Sequence, residues 1–418
     1  MRELIQFPGS PAEITAAAAT LRAALAEAEP GLEEILTVFE SWAAALSARE
    51  LDAIPGVAFL RLWLRRGTLE PIIARELGHG AMAGDWAADG RARLRPFPLG
   101  VVGHWPAGNI EIQPILSMTC GLLGGNAAIV RIPSGLVEVM RQLMAPLAGS
   151  AGGERLLRRI ALVAFEHGRH DLQEALARAV DGAMIWGGQE AVLSVRSLPF
   201  PPWARLAVFG PRLSVAAMDA AAWANPAQQE AWCLRLARDV WQFDQQACSS
   251  PQTLFLEKKP GGSSAEFVSA LKRAFAVENR QHPRQTIHPA LTSAICQARA
   301  AWLLADTAHQ AFFPPSPDWT LLVGSGSDIP PPTQGKTLTI LEVDSLGEPV
   351  AKFDGNVQTL GLAVADAGKE AELALLAGKK GVDRVVKLGR MHLFVPPWDG
   401  ADLIRPMVRL VRHLPSTE

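Results

Sequence analysis

From about residue 94 the chain repeats one pattern, a short run rich in β-branched and apolar residues followed by a stretch with helical spacing. Residues 101–105, 127–132, 160–165, 183–186 and 205–209 read as strands, with helices expected at 110–122, 136–146, 172–180 and 189–195 between them. Consecutive strands joined through helices must run parallel, and the crossover helices then cover both faces of the sheet. The pattern predicts an α/β fold whose ligands bind beyond the carboxyl ends of the strands.

The first 95 or so residues read as helical. Ser10-Pro11-Ala12-Glu13 has the form of a capping box with proline at the first helical position, and Leu32, Ile35, Leu36, Phe39, Trp42 and Leu46 form a packing stripe at 3.6-residue spacing. No catalytic constellation stands out there. After Phe209-Gly210-Pro211 a second α/β unit is expected, with strands at 320–323, 337–343, 359–364 and 384–388 and a last helix at 399–412. A chain of 418 residues is long enough for two such units.

Charge narrows the partners. Lys plus Arg number 40 against 42 for Asp plus Glu, so no bulk positive charge points to nucleic acid or an anionic membrane. The first ten residues, MRELIQFPGS, lack the apolar core of a signal peptide, and no apolar run of the ~18 residues needed to span a bilayer occurs, so a cytoplasmic protein is expected. The four cysteines show no Cys-x-x-Cys spacing and no cluster with histidine, which indicates neither a disulfide framework nor a metal site. Cys120, Cys233 and Cys296 lie in helix-like apolar context and read as core residues. With no tyrosine in the chain, chemistry through a tyrosine acid, base or nucleophile is excluded.

Cys248 differs from the other three. It sits in Phe243-Asp244-Gln245-Gln246-Ala247-Cys248-Ser249-Ser250-Pro251-Gln252, between an amphipathic run over 227–243 and the β-compatible Thr253-Leu254-Phe255-Leu256. Amide and hydroxyl flanks can orient a thiol and donate to an oxyanion. The flanks alone leave two readings, nucleophile or small buried hydrophobe. Two loops fall where a ligand of the first sheet would sit: Gly103-His104-Trp105-Pro106-Ala107-Gly108-Asn109, and Trp186-Gly187-Gly188-Gln189. Paired glycines let backbone N–H groups at a helix start approach a pyrophosphate, and they also occur in ordinary tight turns.

The segments PLGVVGHWPAGN (98–109), LLGGNAAIVRIPS (122–134), MIWGGQEAV (184–192), FGPRLS (209–214), FDQQACSSPQ (243–252) and PWDGADLIRPMVRLVR (397–412) occur in this order. Together they resemble the aldehyde dehydrogenase superfamily and, within it, the LuxC-type acyl-CoA reductases, the bioluminescence fatty acid reductase family. The resemblance implies an aldehyde dehydrogenase-like fold: a nucleotide-binding parallel-sheet domain over 1–225, completed by 390–418, and a catalytic α/β domain over 226–389. It implies that Cys248 takes an acyl group from a thioester as a covalent acyl-enzyme, and that Asn109 donates its side-chain amide to the oxyanion. A helix-capping asparagine is the other reading of Asn109.

Arg131 stands where many relatives have a lysine on the adenosine ribose, with Ser134 close by. The Trp105 loop and the Gly187-Gly188 turn complete the expected cofactor contacts. Glu342 corresponds to the nicotinamide-ribose carboxylate or is an exposed strand-end glutamate. Hydrolytic relatives carry a glutamate two residues before the glycine of FGPRLS; here that residue is Val208. Lacking that base, the acyl-enzyme should resist water and persist for hydride attack. No acid follows Arg131 in Ile132-Pro133-Ser134-Gly135, and arginine is a good phosphate partner, so NADPH is expected in preference to NADH. The resemblance further implies an acyl-CoA or carrier-protein thioester as substrate, an acyl-transferring partner subunit and a homo-oligomer. The competing reading is a cofactor-free cysteine acyltransferase or thioesterase, against which stands the lack of any pattern tying a histidine to Cys248.

Overall fold

In a computed structural model of the chain, residues 4–27, 31–78, 80, 82, 84–259, 263–284 and 286–415 are described. They form two compact units, Met1–Gly210 with Phe394–Glu418, and Pro211–Leu393.

The first unit holds strands β1 (Ile5–Gln6), β2 (Ala87–Asp89), β3 (Ala92–Pro98), β4 (Val101–Trp105), β5 (Ala127–Ile132), β6 (Ile160–Ala164), β7 (Gly182–Trp186) and β8 (Arg205–Phe209). Among the described residues six of them make a sheet in the order β1-β6-β5-β4-β7-β8, parallel at every pairing. Helices Gln113–Leu123, Val137–Ala148, His170–Arg178 and Gln189–Arg196 return the chain between strands, as the alternation requires. Every residue of β4, His104 included, is buried, which explains why no period of two marks it. Asn126 pins the two central strands: its Oδ1 accepts from the backbone N–H of Leu99 (2.7 Å) and Gly100 (3.1 Å), and its Nδ2 donates to the carbonyls of Gly121 and Met407, both at 2.8 Å.

The amino-terminal helices run over Pro11–Glu27, Leu32–Ala45, Val57–Trp63 and Arg66–Leu77. The reciprocal capping box does not form as expected: Ser10 Oγ donates to the Glu13 carboxylate at 2.9 Å, that carboxylate accepts from Gly9 N–H at 3.3 Å, and Glu13 N–H donates to the Ser10 carbonyl. Two helical expectations fail. Ala87–Pro98 is a β2-β3 hairpin, and the helix expected over 399–412 is a short turn followed by the strand Val408–His413, which pairs antiparallel with β3. Pro406 lies mid-way through the expected helix and cannot donate, while Asp399 (φ 48°) and Gly400 (φ 71°) are left-handed where it would begin. The buried Glu76 carboxylate instead collects the backbone N–H groups of Leu403, Ile404 and Arg405 at 3.0, 2.6 and 3.0 Å.

The second unit holds β9 (Leu213–Met218), β10 (Pro251–Glu257), β11 (Gln310–Phe312), β12 (Thr320–Ser325), β13 (Thr337–Val343), β14 (Val357–Ala363) and β15 (Arg384–Lys387). Their order is β11-β12-β13-β10-β9-β14-β15, parallel except for β11 against β12. Leu254 and Leu256 of β10 pack into one apolar layer with Trp223, Phe267 and Phe275, whereas Phe255 between them joins Val350, Phe353 and Leu373 on the other face. Because β9 belongs to this sheet, the division falls at Gly210 and not at the expected residue 225.

Candidate active site

The helix Pro226–Trp241 is capped by Asn225, whose Oδ1 accepts from Ala227 N–H at 2.9 Å and Gln228 N–H at 3.3 Å. Past its end the backbone turns through three successive non-glycine residues in the left-handed region, Phe243 (φ 55°), Asp244 (φ 52°) and Gln245 (φ 61°). Each costs about 1–2 kcal/mol, so the neighbours must impose the turn. Gln245, fully buried, does so with Nε2 donating to the carbonyls of Pro251 (2.8 Å) and Thr337 (2.9 Å) while its Oε1 accepts from Thr337 N–H at 2.7 Å. Asp244 Oδ1 accepts from Arg284 Nη2 at 2.7 Å and lies 3.5 Å from Lys336 Nζ. A further turn, closed by Ser250 N–H donating to the Ala247 carbonyl at 2.9 Å, carries Cys248 and delivers the chain into β10.

Cys248 is half-buried at the amino end of this parallel sheet. Its carbonyl accepts from Ser214 Oγ at 2.7 Å, and the Nε2 of Gln358 lies 3.2 Å from its sulfur. Gln358 is fully buried, its Oε1 accepts from Thr359 Oγ1 at 3.3 Å, and Thr359 Oγ1 accepts from Arg384 Nη1 at 3.1 Å. Strand register explains the grouping, since Thr359 pairs with Ser214 on β9 and with Arg384 on β15. Next to the cysteine, Ser249 Oγ is 3.0 Å from His392 Nδ1, and His392 Nε2 is 2.7 Å from the Asp239 carbonyl. A carbonyl only accepts, so Nε2 carries the ring proton and Nδ1 accepts from Ser249. Burial pushes His392 down to about 4 and the Asp239 carboxyl up to about 7.

Sequence reasoning singled out Cys248 and did not point to Gln358, Thr359, Arg384, Ser214 or His392, which the fold gathers around it. Fold alone brings these distant positions together, and no local spacing marks them. Of the other cysteines, Cys120 and Cys233 are buried core residues as expected, with burial raising both thiols, Cys233 to about 12. Cys296 is exposed, because the helix Pro289–Ala305 buries only Ile295 and Arg299.

In the first unit the expected cofactor residues fall into two groups. Arg131, at the end of β5, donates to the Phe165 carbonyl at 3.4 Å, and its Nε is buried with no hydrogen-bond partner. Burial lowers its guanidinium from the ordinary arginine value, an effect the Glu166 charge opposes. Ser134 is exposed and its Oγ donates to Glu166 at 3.4 Å. An acid thus stands in this corner after all, supplied by the chain beyond β6. Gly187 (φ 153°) and Gly188 lead into the helix Gln189–Arg196, and a Cβ added at Gly188 would meet nothing within 4 Å. An orphaned guanidinium N–H and an open glycine turn at a helix start fit the ribose and pyrophosphate of a dinucleotide.

Trp105 offers no such contact. Its ring is buried against Phe200 and its indole N–H donates to Gln173 at 2.8 Å. Asn109 is exposed, but it caps no helix, because the helix starts at Gln113, whose Oε1 accepts from Ala107 N–H at 3.0 Å. Glu342 pairs in register with Leu256, near the carboxyl end of β10, whereas Cys248 precedes its amino end. Five residues of strand separate the levels of Pro251 and Leu256, roughly 17 Å at the usual rise. Glu342 is therefore too far along the sheet to hold a nicotinamide ribose beside Cys248. Val208 is 37% exposed on β8, an aliphatic side chain where a hydrolytic relative has its carboxylate.

The profile of the family described as acyl-CoA reductase (LuxC) matches residues 18–413. The chain belongs to that family. Two relatives, each named a long-chain acyl-protein thioester reductase, are 25% identical over 361 residues (Vibrio harveyi) and 24% identical over 358 residues (Photorhabdus luminescens). The matches cover 84% of this chain in both cases, and 71% and 70% of those proteins. A putative aldehyde dehydrogenase from Anabaena variabilis superposes with a TM-score of 0.69 at 14% identity, covering 99% of this chain and 95% of that one. An E. coli NADP dependent enzyme reaches 0.72 at 13%, covering 96% and 90%. These likenesses establish the aldehyde dehydrogenase-like fold. As a member of this family the chain is an oxidoreductase that reduces an acyl thioester to an aldehyde. Among its described residues no helix is long and apolar enough to cross a membrane, and no cluster of three or more His, Cys, Asp or Glu could hold a metal ion.

Proposed function

We propose that this reductase takes a long-chain acyl group from coenzyme A or a carrier protein onto Cys248 and releases it as the aldehyde, with NADPH as the preferred cofactor. The observation that carries the reading is the half-buried Cys248 sulfur with an amide donor 3.2 Å away, on a turn the fold holds rigidly. The sulfur attacks the thioester carbonyl, the C–S bond to the carrier breaks, and the carrier leaves as its thiol. Asn109, on the strength of the resemblance, donates to the oxyanion formed at each tetrahedral stage. A reduced nicotinamide cofactor, held at its ribose and pyrophosphate by Arg131, Gly187 and Gly188, would supply the hydride that reduces the acyl carbon. Collapse of the resulting thiohemiacetal returns the electron pair to sulfur and frees the aldehyde.

Two features support reduction over hydrolysis. Val208 can take no proton from water, and both ring nitrogens of His392 are engaged by Ser249 and the Asp239 carbonyl, which argues against a Cys–His acyltransferase. For the cofactor, Arg131 with its unpartnered Nε favours a 2′-phosphate, while Glu166 at 3.4 Å from Ser134 opposes one. NADH, whose 2′-hydroxyl could donate to Glu166, is thus the second reading. The domain roles follow: Met1–Gly210 with Phe394–Glu418 binds the nucleotide and Pro211–Leu393 carries the nucleophile. An acyl-transferring partner subunit, a homo-oligomeric assembly and a cytoplasmic location complete the proposal. Anaerobic incubation with acyl-CoAs of graded chain length, following NADPH and NADH oxidation, tests it. Thioester-dependent oxidation that is faster with NADPH and absent in Cys248→Ser is the expected result; thioester turnover indifferent to nicotinamide would return the acyltransferase reading.

A further inference from the structure

Gln358 lies in the interior of the second unit, 110 positions along the chain from the cysteine it touches, and nothing in the local sequence distinguishes it. A glutamine side chain could meet the sulfur with its carbonyl oxygen or with its NH2 group, and the two have opposite consequences. An oxygen would oppose a thiolate, whereas N–H groups would hold one. The neighbours decide which end faces the sulfur. A guanidinium only donates, so Arg384 Nη1 at 3.1 Å makes Thr359 Oγ1 an acceptor on that side. The hydroxyl proton of Thr359 is then directed to Gln358 Oε1 at 3.3 Å. With its oxygen taken by Thr359, the amide presents Nε2–H to Cys248 Sγ at 3.2 Å. Arg384 cannot swing away, since its Nη2 also donates to the Leu393 carbonyl at 2.9 Å and its side chain is buried in the sheet edge.

We propose that Gln358 is a catalytic residue that stabilises the Cys248 thiolate, and that Thr359 and Arg384 are positioning residues that fix the polarity of its amide. The inference rests on the reading of Cys248 as the nucleophile. The amide moves no proton. It favours the two moments at which sulfur carries the electron pair: before attack on the thioester, and after the thiohemiacetal oxyanion re-forms C=O and the C–S bond breaks. In the acyl-enzyme between them the sulfur is bonded to carbon and accepts weakly, so the donor acts on the entry and exit of the cycle. At neutral pH an ordinary thiol is only a few per cent thiolate, which leaves room for the effect. A hydrogen bond to an ionised group of this kind is worth about a factor of ten or more in the thiolate population.

The test is alkylation of Cys248 by iodoacetamide from pH 6 to 10, without substrate, read by intact mass. A Cys296→Ser background removes the exposed competing thiol. We expect Gln358→Leu to react about tenfold more slowly at pH 7 yet reach the wild-type rate at the alkaline plateau, since the thiolate there forms without help. Gln358→Glu should be slower still at pH 7, because a carboxylate opposes the thiolate. Thr359→Val, which frees the amide to flip, should fall between wild type and Gln358→Leu, and it decides the matter if either Gln358 variant fails to fold. Superimposable profiles overturn the proposal, and so does an alkaline plateau that falls as far as the neutral rate, the signature of a displaced cysteine. Should Gln358 control alkylation while Cys248 never accepts an acyl group from thioesters, the reductase mechanism fails and the donor role stands. Acylation of Cys248 that is indifferent to Gln358 leaves the reductase mechanism in place and removes the donor role.

Discussion

Replacing Gln245 by alanine separates the strained turn from the parts of the fold that impose it. The wild-type side chain makes three hydrogen bonds in a fully buried position, to the carbonyls of Pro251 and Thr337 and to Thr337 N–H. Thr337 N–H keeps a second partner in the Gln334 carbonyl at 3.2 Å, and β-sheet carbonyls have a spare lone pair, so truncation does not orphan every group. Counting about 1 kcal/mol for each lost bond and up to about 2 kcal/mol for the cavity and the drier carbonyls gives a loss of about 3–5 kcal/mol. Alanine still disfavours the left-handed conformation that Phe243, Asp244 and position 245 adopt, and the Asp244 pairing with Arg284 and Lys336 and the Gln252 bond to the residue 245 carbonyl are left to hold the turn. Hydrogen exchange of the peptide spanning residues 242–252, read by mass, reports this local opening directly. It should accelerate by two to three orders of magnitude at about 1.4 kcal/mol per decade. Gln245→Gly makes an internal control: it loses the same bonds but recovers about 1 kcal/mol of backbone strain, so its exchange should fall short of the alanine variant by several-fold with activity equally low. Acceleration below tenfold in Gln245→Ala would refute the idea that this side chain holds the turn that leads to Cys248.

Other variants probe the remaining parts. Asn109→Ala should slow aldehyde formation by about two orders of magnitude with little change in stability, measured as kcat at saturating thioester; an unchanged rate removes Asn109 from the mechanism. Glu166→Gln takes a carboxylate from beside Ser134 and should raise kcat/KM for NADPH by roughly tenfold while leaving NADH within a few-fold, so equal changes with both cofactors would place Glu166 outside the ribose corner. Stability should depend on pH through two opposed groups. His392, near 4 in the fold and 6.5 unfolded, adds stability that is lost as pH falls through that window. Asp239, near 7 against 3.8, adds stability that is lost as pH rises through its own window. Asp239→Asn removes the second contribution, so its thermal midpoint should climb more steeply than wild type from pH 4 to 6.5 and gain on it up to pH 7; parallel curves would show that Asp239 is not protonated in the fold.

The sheet of the first unit was legible because β4, β5 and β7 are short, mostly apolar runs, buried at nearly every position and bordered by glycine or proline, a signal that depends on burial at each residue alone. Short strands of mixed and partly exposed sequence were not. The β2-β3 hairpin and Val408–His413 are mixed runs with exposed residues, and only their mutual pairing makes them strands. The site divides the same way. Cys248 announces itself through polar flanks, but the thiol's donor arrives from β14, and its orientation depends on a threonine and an arginine that only strand register places together. Glu342 shows the converse hazard, since a plausible local match put a carboxylate at the wrong end of the strand.

For this mechanism to hold, one sulfur must carry the acyl group. The purified protein, incubated anaerobically with a long-chain acyl-CoA and no nicotinamide, should gain the mass of one acyl chain, and peptide mapping should place it on Cys248. The adduct should persist in buffer and disappear as aldehyde, with equimolar oxidation of cofactor, once NADPH is added. An adduct on another residue, or one that decays to the carboxylic acid before any cofactor is present, would contradict it.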